Sequence, residues 1–148
     1  MEQLIEAMKK VLAESFAFRL KAQYFHWNVE GPDFHQYHEM FGKLYEEVDT
    51  AVDGIAEHIR ALDSYSPGSF SRFIELSSVK DETLIPSAIG MVTKLYTDNN
   101  LLLASLKNAR NIADELGENG IVNFLEERID IHQKHRWMLK ATISTGNE

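Results

Sequence analysis

The stretch that decides the fold reads His26-Trp27-Asn28-Val29-Glu30-Gly31-Pro32-Asp33-Phe34-His35-Gln36-Tyr37-His38, then continues into a run carrying Glu46, Asp49, Asp53 and Glu57. At its centre Glu30-Gly31-Pro32 stops one helix, because glycine suits a C-terminal cap and proline cannot continue the hydrogen-bond ladder. Asp33 stands where the next helix needs a cap, with Gln36 three residues on. So short a turn makes the two helices antiparallel. Upstream, from Glu2 to about Val29, Leu4, Met8, Val11, Phe18 and Phe25 recur on one line with Ile5, Leu12 and Phe16 beside it, and no proline or glycine intervenes. Downstream, Phe34, Phe41, Val48, Ile55 and Leu62 form a seven-residue line supported by Tyr37, Leu44 and Ile59.

The second helix ends before Asp63-Ser64-Tyr65-Ser66-Pro67-Gly68. Residues 63 to about 84 make the one long connection, in which Phe70, Phe73, Ile74 and Leu76 predict a small helix packed on the crossover. A third long helix starts near Pro86 and carries Ile89, Val92, Leu95, Leu102, Leu106, Ala109, Ile112 and Leu116 before Gly117. The fourth, from about Asn119, uses Ile121, Leu125, Ile129, His132, Arg136 and Leu139, with Phe124 and Ile131 beside them. Four helices joined by short, long and short connections, without a strand signal, predict an all-α, ferritin-like four-helix bundle. The short extra helix lies in the crossover between helices two and three. One domain spanning residues 1–148 is expected, with only the tail from about Ser144 unstructured.

Composition narrows the chemistry. A chain of 148 residues buries roughly two-thirds of its unfolded surface around one core without crosslinks. It has no cysteine, which excludes disulfides, thiolate zinc sites and a Cys nucleophile, and permits a reducing cytoplasm. Any metal must be held by nitrogen or oxygen. No signal-peptide pattern or membrane span is legible, so a soluble, cytoplasmic protein is expected. A formal charge of −8, with 15 scattered Lys and Arg, opposes non-specific binding to a phosphate backbone.

On a wheel of roughly 100° per residue, His38, Glu46, Asp49, Asp53 and Glu57 centre about 130° from the apolar line of the second helix. These side chains point away from the chain's own core. A di-iron site inside a bundle uses Glu-x-x-His pairs, and the residues three before the six histidines are Gln23, Pro32, His35, Ile55, Ile129 and His132, none of them Glu. An outward imidazole and carboxylate face is either solvated or completed by another molecule. In an isologous two-fold contact, His26 and His38 of one chain meet the Asp53 and Glu57 end of the other.

The pattern His26-Trp27-Asn28-Val29, Gly31, Phe34, His38-Glu39 and Asp53-Gly54-Ile55-Ala56-Glu57, with Leu20-Lys21 before it, resembles the Dps family, the miniferritins named for DNA protection during starvation. The resemblance covers the whole bundle, including the crossover helix and His135-Arg136-Trp137-Met138-Leu139-Lys140. It implies a dodecameric homo-oligomer that binds Fe(II) at two-fold interfaces, oxidises it with hydrogen peroxide and stores ferric mineral. Carried over, the ligands are His26 and His38 from one subunit and Asp53 and Glu57 from its neighbour. The family's further aspartate, four residues after the second histidine, falls here on Gly42; Glu46, one turn on, and water are the alternatives to take its place. Such ligands also suit Zn(II) and Mn(II). Gly42 leaves a second reading open, a Dps-like shell with impaired ferroxidase activity that serves as a binding or structural assembly. Direct DNA binding is not expected, because Lys9 and Lys10 lie inside the first helix and the segment 144–148 has no basic residue.

The remaining candidates have plainer readings. Trp27 is expected to pack at an interface and Trp137 to be structural. His132 and His135 have Arg128 and Ile131 one turn before them, and so read as packing or surface residues. Glu118, Glu126, Glu127 and Asp130 fit a solvated helix face and a pore for iron equally well.

Overall fold

A computed structural model describes residues 1–146. It contains five helices in the order α1 Glu2–Asn28, α2 Phe34–Ala61, α3 Phe70–Leu76, α4 Ala88–Glu115 and α5 Asn119–Ile143, and no strand among the described residues. α1 packs against α2 and α4, α4 packs against α5, and α3 lies on α1. The predicted bundle and its crossover helix are therefore both present.

Each boundary has a local cause. α1 gives way at Val29, which is extended, and Gly31 then adopts φ +124°, a conformation that costs residues with a Cβ. Asp33 occupies the cap position of α2, but its carboxylate makes no capping bond, so the expected capping interaction is absent. α4 begins at Ala88, close to Pro86 as expected, and is capped by the Ser87 hydroxyl, which accepts the amide of Gly90 at 3.0 Å. Gly117 at φ +70° turns the chain between α4 and α5.

The apolar lines meet in one continuous core, in which Phe18, Phe25 and Phe41 are fully buried. Burying each such side chain contributes about 1.5–3 kcal/mol. Ile89, placed on the apolar line of α4 by its spacing, is instead about half exposed in the first turn of that helix. The crossover is tied down by polar bonds: the Tyr24 hydroxyl donates to the carbonyls of Thr83 and Leu84, and the buried Glu14 carboxylate accepts the Ser78 amide at 2.7 Å. Phe73 of α3 packs on Phe16 with ring centroids 4.9 Å apart, whereas Phe70 and Ile74 face outward. The helix ends at Ile143 and Ser144–Gly146 are non-helical; the rest of the expected tail, 147–148, lies outside the described residues.

Candidate metal centre

His26 lies in the last turn of α1 and His38 near the start of α2, so the tight connection at Gly31 folds one back onto the other. Their rings stack almost parallel, with centroids 3.8 Å apart and planes 13° apart. Nδ1 of His26 lies 2.6 Å from the carbonyl oxygen of His38, and Nδ1 of His38 lies 2.6 Å from that of His26. A carbonyl oxygen can only accept, so each Nδ1 carries the proton. A neutral ring in that tautomer keeps its lone pair on Nε2, and a backbone carbonyl behind Nδ1 is the usual support of a metal-binding imidazole. Phe34 stacks on His38 and Tyr45 leans on His26, which fixes the pair from both sides.

The carboxylates are elsewhere. Asp53 and Glu57 are exposed on α2, 15 and 19 residues beyond His38, which at the helical rise is about 22 and 28 Å along the axis. One chain therefore cannot bring all four residues together. Glu46 is exposed on the same side, and Asp49 is engaged by Arg19 at 3.0 Å. Among the described residues no three of His, Asp and Glu converge as a metal site.

A second polar cluster occupies the bundle interior. Arg128 forks onto Glu47 with contacts of 2.6 and 3.1 Å, and its second nitrogen donates to Nε2 of His132 at 2.9 Å. Nδ1 of His132 in turn donates to the Asn99 side-chain oxygen at 2.7 Å, and His135 Nε2 donates to Glu47 at 2.7 Å. Burial, then the Arg128 charge, pushes the His132 pKa well below its usual value and keeps the ring neutral. Burial alone would raise the Glu47 carboxyl, but the His135 and Arg128 contacts prevail and hold it at about 2. The His132 lone pair and both Glu47 oxygens are thus already engaged by Arg128 and His135. Spacing along one helix did not reveal the cluster, because the carboxylate comes from α2. The available signal was Arg128 on the buried line of α5, between Leu125 and His132, where an arginine requires a counter-ion.

Both indoles are mostly exposed in the single chain, Trp27 at 61% and Trp137 at 66%. Trp27 lines a groove of about 370 Å³ between α1 and α3, together with Leu20, Phe70 and Ile74. Of the acidic residues on α5, Glu126 pairs with Arg110 at 3.5 Å.

Four long helices with a single long crossover define the ferritin-like class, and residues 5–148 match the family model described as a ferritin-like domain. Within that class the chain belongs to the Dps family. General stress protein 20U of Bacillus subtilis (strain 168) is 37% identical over 145 residues, covering 96% of this chain and 98% of that protein. DNA protection during starvation protein 2 of Bacillus anthracis is 33% identical over 147 residues, covering 97% and 98%. The crystal structure of the Dps protein from Vibrio cholerae O1 superposes with a TM-score of 0.93 at 25% identity over 97% of this chain and 90% of that one, and is described as a member of a broad superfamily of ferritin-like diiron-carboxylate proteins.

Proposed function

We propose that this protein takes Fe(II) as substrate at inter-subunit sites, oxidises it with hydrogen peroxide and holds the ferric product inside a dodecameric shell. The general role, iron storage in stress protection, comes with the family. The observation that carries the finer reading is the His26 and His38 clasp, which holds two imidazoles in one tautomer at a partly exposed surface. Two neutral nitrogens bind a ferrous ion but do little for the charge gained on oxidation; anionic oxygens stabilise that charge. Asp53 and Glu57 of the partner subunit supply them in a two-fold contact. The apolar groove beside Trp27 supports such a contact, since exposed Leu20, Phe70 and Ile74 lack cover in one chain.

Each peroxide accepts two electrons, one from each of two ferrous ions, and with two protons leaves as two waters. The electrons thus never reach a hydroxyl radical, which protects nucleic acid without contact with it. Consistent with that, Lys9 lies within α1 and pairs with Glu6 at 3.5 Å.

Replacing His26 and His38 with Ala is expected to abolish rapid peroxide-dependent ferroxidation in stopped flow, and so is the pair Asp53→Asn and Glu57→Gln. Co-assembling the two double variants places intact histidines opposite intact carboxylates in mixed dimers, so activity returns in the mixture. Normal initial rates in either variant, or no recovery on mixing, would refute the assignment. Loss of rapid oxidation in the native protein with saturable anaerobic Fe(II) binding retained would instead favour a shell with impaired catalysis.

A further inference from the structure

We propose that the groove between α2 and α5 is a binding site for monovalent copper, with Nδ1 of His135 and the thioether sulfurs of Met40 and Met138 as its ligands. The groove has a volume of about 370 Å³ and a chiefly apolar lining, to which these three side chains and Glu47 contribute. None of the three belongs to the His26 and His38 clasp.

His135 is already braced as a metal ligand is. Its Nε2 lies 2.7 Å from a Glu47 oxygen, and because that carboxyl is held at about 2, the oxygen accepts and the ring donates. In the neutral ring the lone pair is then on Nδ1, which meets no hydrogen-bond partner among the described residues. A carboxylate behind the far nitrogen is a usual outer support of a ligating imidazole. Arg128 fixes Glu47 in turn, with contacts of 2.6 and 3.1 Å, so the ring is oriented before any ion arrives.

The sulfurs come from both walls. Met138 is about half exposed and stands three residues beyond His135 on the same face of α5, a spacing that sets Cβ atoms about 5–6 Å apart. Met40 reaches across from α2, and its Sδ lies 3.9 Å from the Thr142 hydroxyl, one turn beyond Met138. That hydroxyl donates to the Met138 carbonyl at 2.7 Å, which leaves the Met40 sulfur lone pairs free. Both side chains are unbranched and rotate readily, so the sulfurs can swing towards Nδ1.

One imidazole and two thioethers are soft, uncharged donors, a set that selects Cu(I) over Fe(II) or Zn(II). Charge at the groove acts in the same direction. Lys43, paired with Glu39 at 3.1 Å, and Lys134 also line it, and their repulsion is twice as large for a divalent ion as for a monovalent one.

Anaerobic titration of the intact assembly with Cu(I), in competition with a chromophoric Cu(I) chelator, tests this. A His26→Ala, His38→Ala background removes the other imidazole pair. This protein is expected to retain one Cu(I) per chain against the chelator, since each chain carries one such donor set, and X-ray absorption at the copper edge is expected to show sulfur neighbours. Met40→Leu with Met138→Leu conserves volume, which packed sites tolerate. Loss of an outer support alone weakens a metal site by about 10- to 100-fold, so removing both sulfurs is expected to cost at least that and to abolish the sulfur signal. An equal concentration of Zn(II) is expected to leave bound Cu(I) in place. No retention of Cu(I), native affinity in the double methionine variant, coordination by nitrogen and oxygen alone, or displacement by Zn(II) would each overturn the proposal.

Discussion

Replacing Glu47 with Gln is the sharpest test of the interior network. Glu47 neutralises Arg128, which is only 5% exposed, and also receives His135. A carboxyl held at about 2 instead of 4.5 contributes up to about 3 kcal/mol of stability above pH 5. The Glu47 side chain is 29% exposed, so solvent screening reduces this to about 2 kcal/mol. The sign follows from the lowered pKa: the contribution is complete above the unfolded value and is lost as pH falls from about 5 towards 2. The amide keeps one acceptor but no charge, leaving Arg128 buried with a neutral partner. Glu47→Gln should therefore cost about 2–3 kcal/mol at pH 7, less than complete removal of a buried partner. Urea unfolding followed by circular dichroism, at fixed protomer concentration, gives the free energies at pH 7 and pH 2.5. Native and variant curves are expected to converge at the lower pH. A gap below about 0.5 kcal/mol at pH 7, or one unchanged at pH 2.5, would show that Glu47 is not the counter-charge that stabilises the interior.

Lys21 and Asp98 form a buried pair at 2.7 Å, and burial raises the Asp98 carboxyl in spite of the lysine. Asp98→Ala strands the ammonium and should cost about 3–5 kcal/mol, while Lys21→Met with Asp98→Leu should cost about 1 kcal/mol or less; equal losses in denaturant titration would contradict this. Ser87→Ala removes the side-chain cap of α4 and should lower stability by about 1 kcal/mol, measurable by thermal unfolding, with no change expected in metal binding. Glu14 is fully buried, and its Oε1 meets no hydrogen-bond partner among the described residues. Glu14→Gln can keep the Ser78 bond, so the change by calorimetry should stay within about 1 kcal/mol; a larger loss would show that both Glu14 oxygens act as acceptors in the native bundle.

The sequence by itself determined the helices and their order, because apolar spacing, Gly31-Pro32 and Gly117 act locally and each is legible in a few residues. It also determined that the carboxylate face of α2 looks outward, since helical periodicity fixes which residues share a side. It did not determine that His26 and His38 interlock through each other's carbonyls, because that depends on how closely two helices approach at the turn. Gly42 shows the difference most clearly. In the sequence it is a missing carboxylate; in the fold it lies against the His26 ring. Glu47 and Arg128, 81 residues apart, likewise meet only when α2 and α5 pack. Local pattern sets the elements, and packing decides which distant polar groups must neutralise one another, because burial makes an unpaired charge too costly to leave.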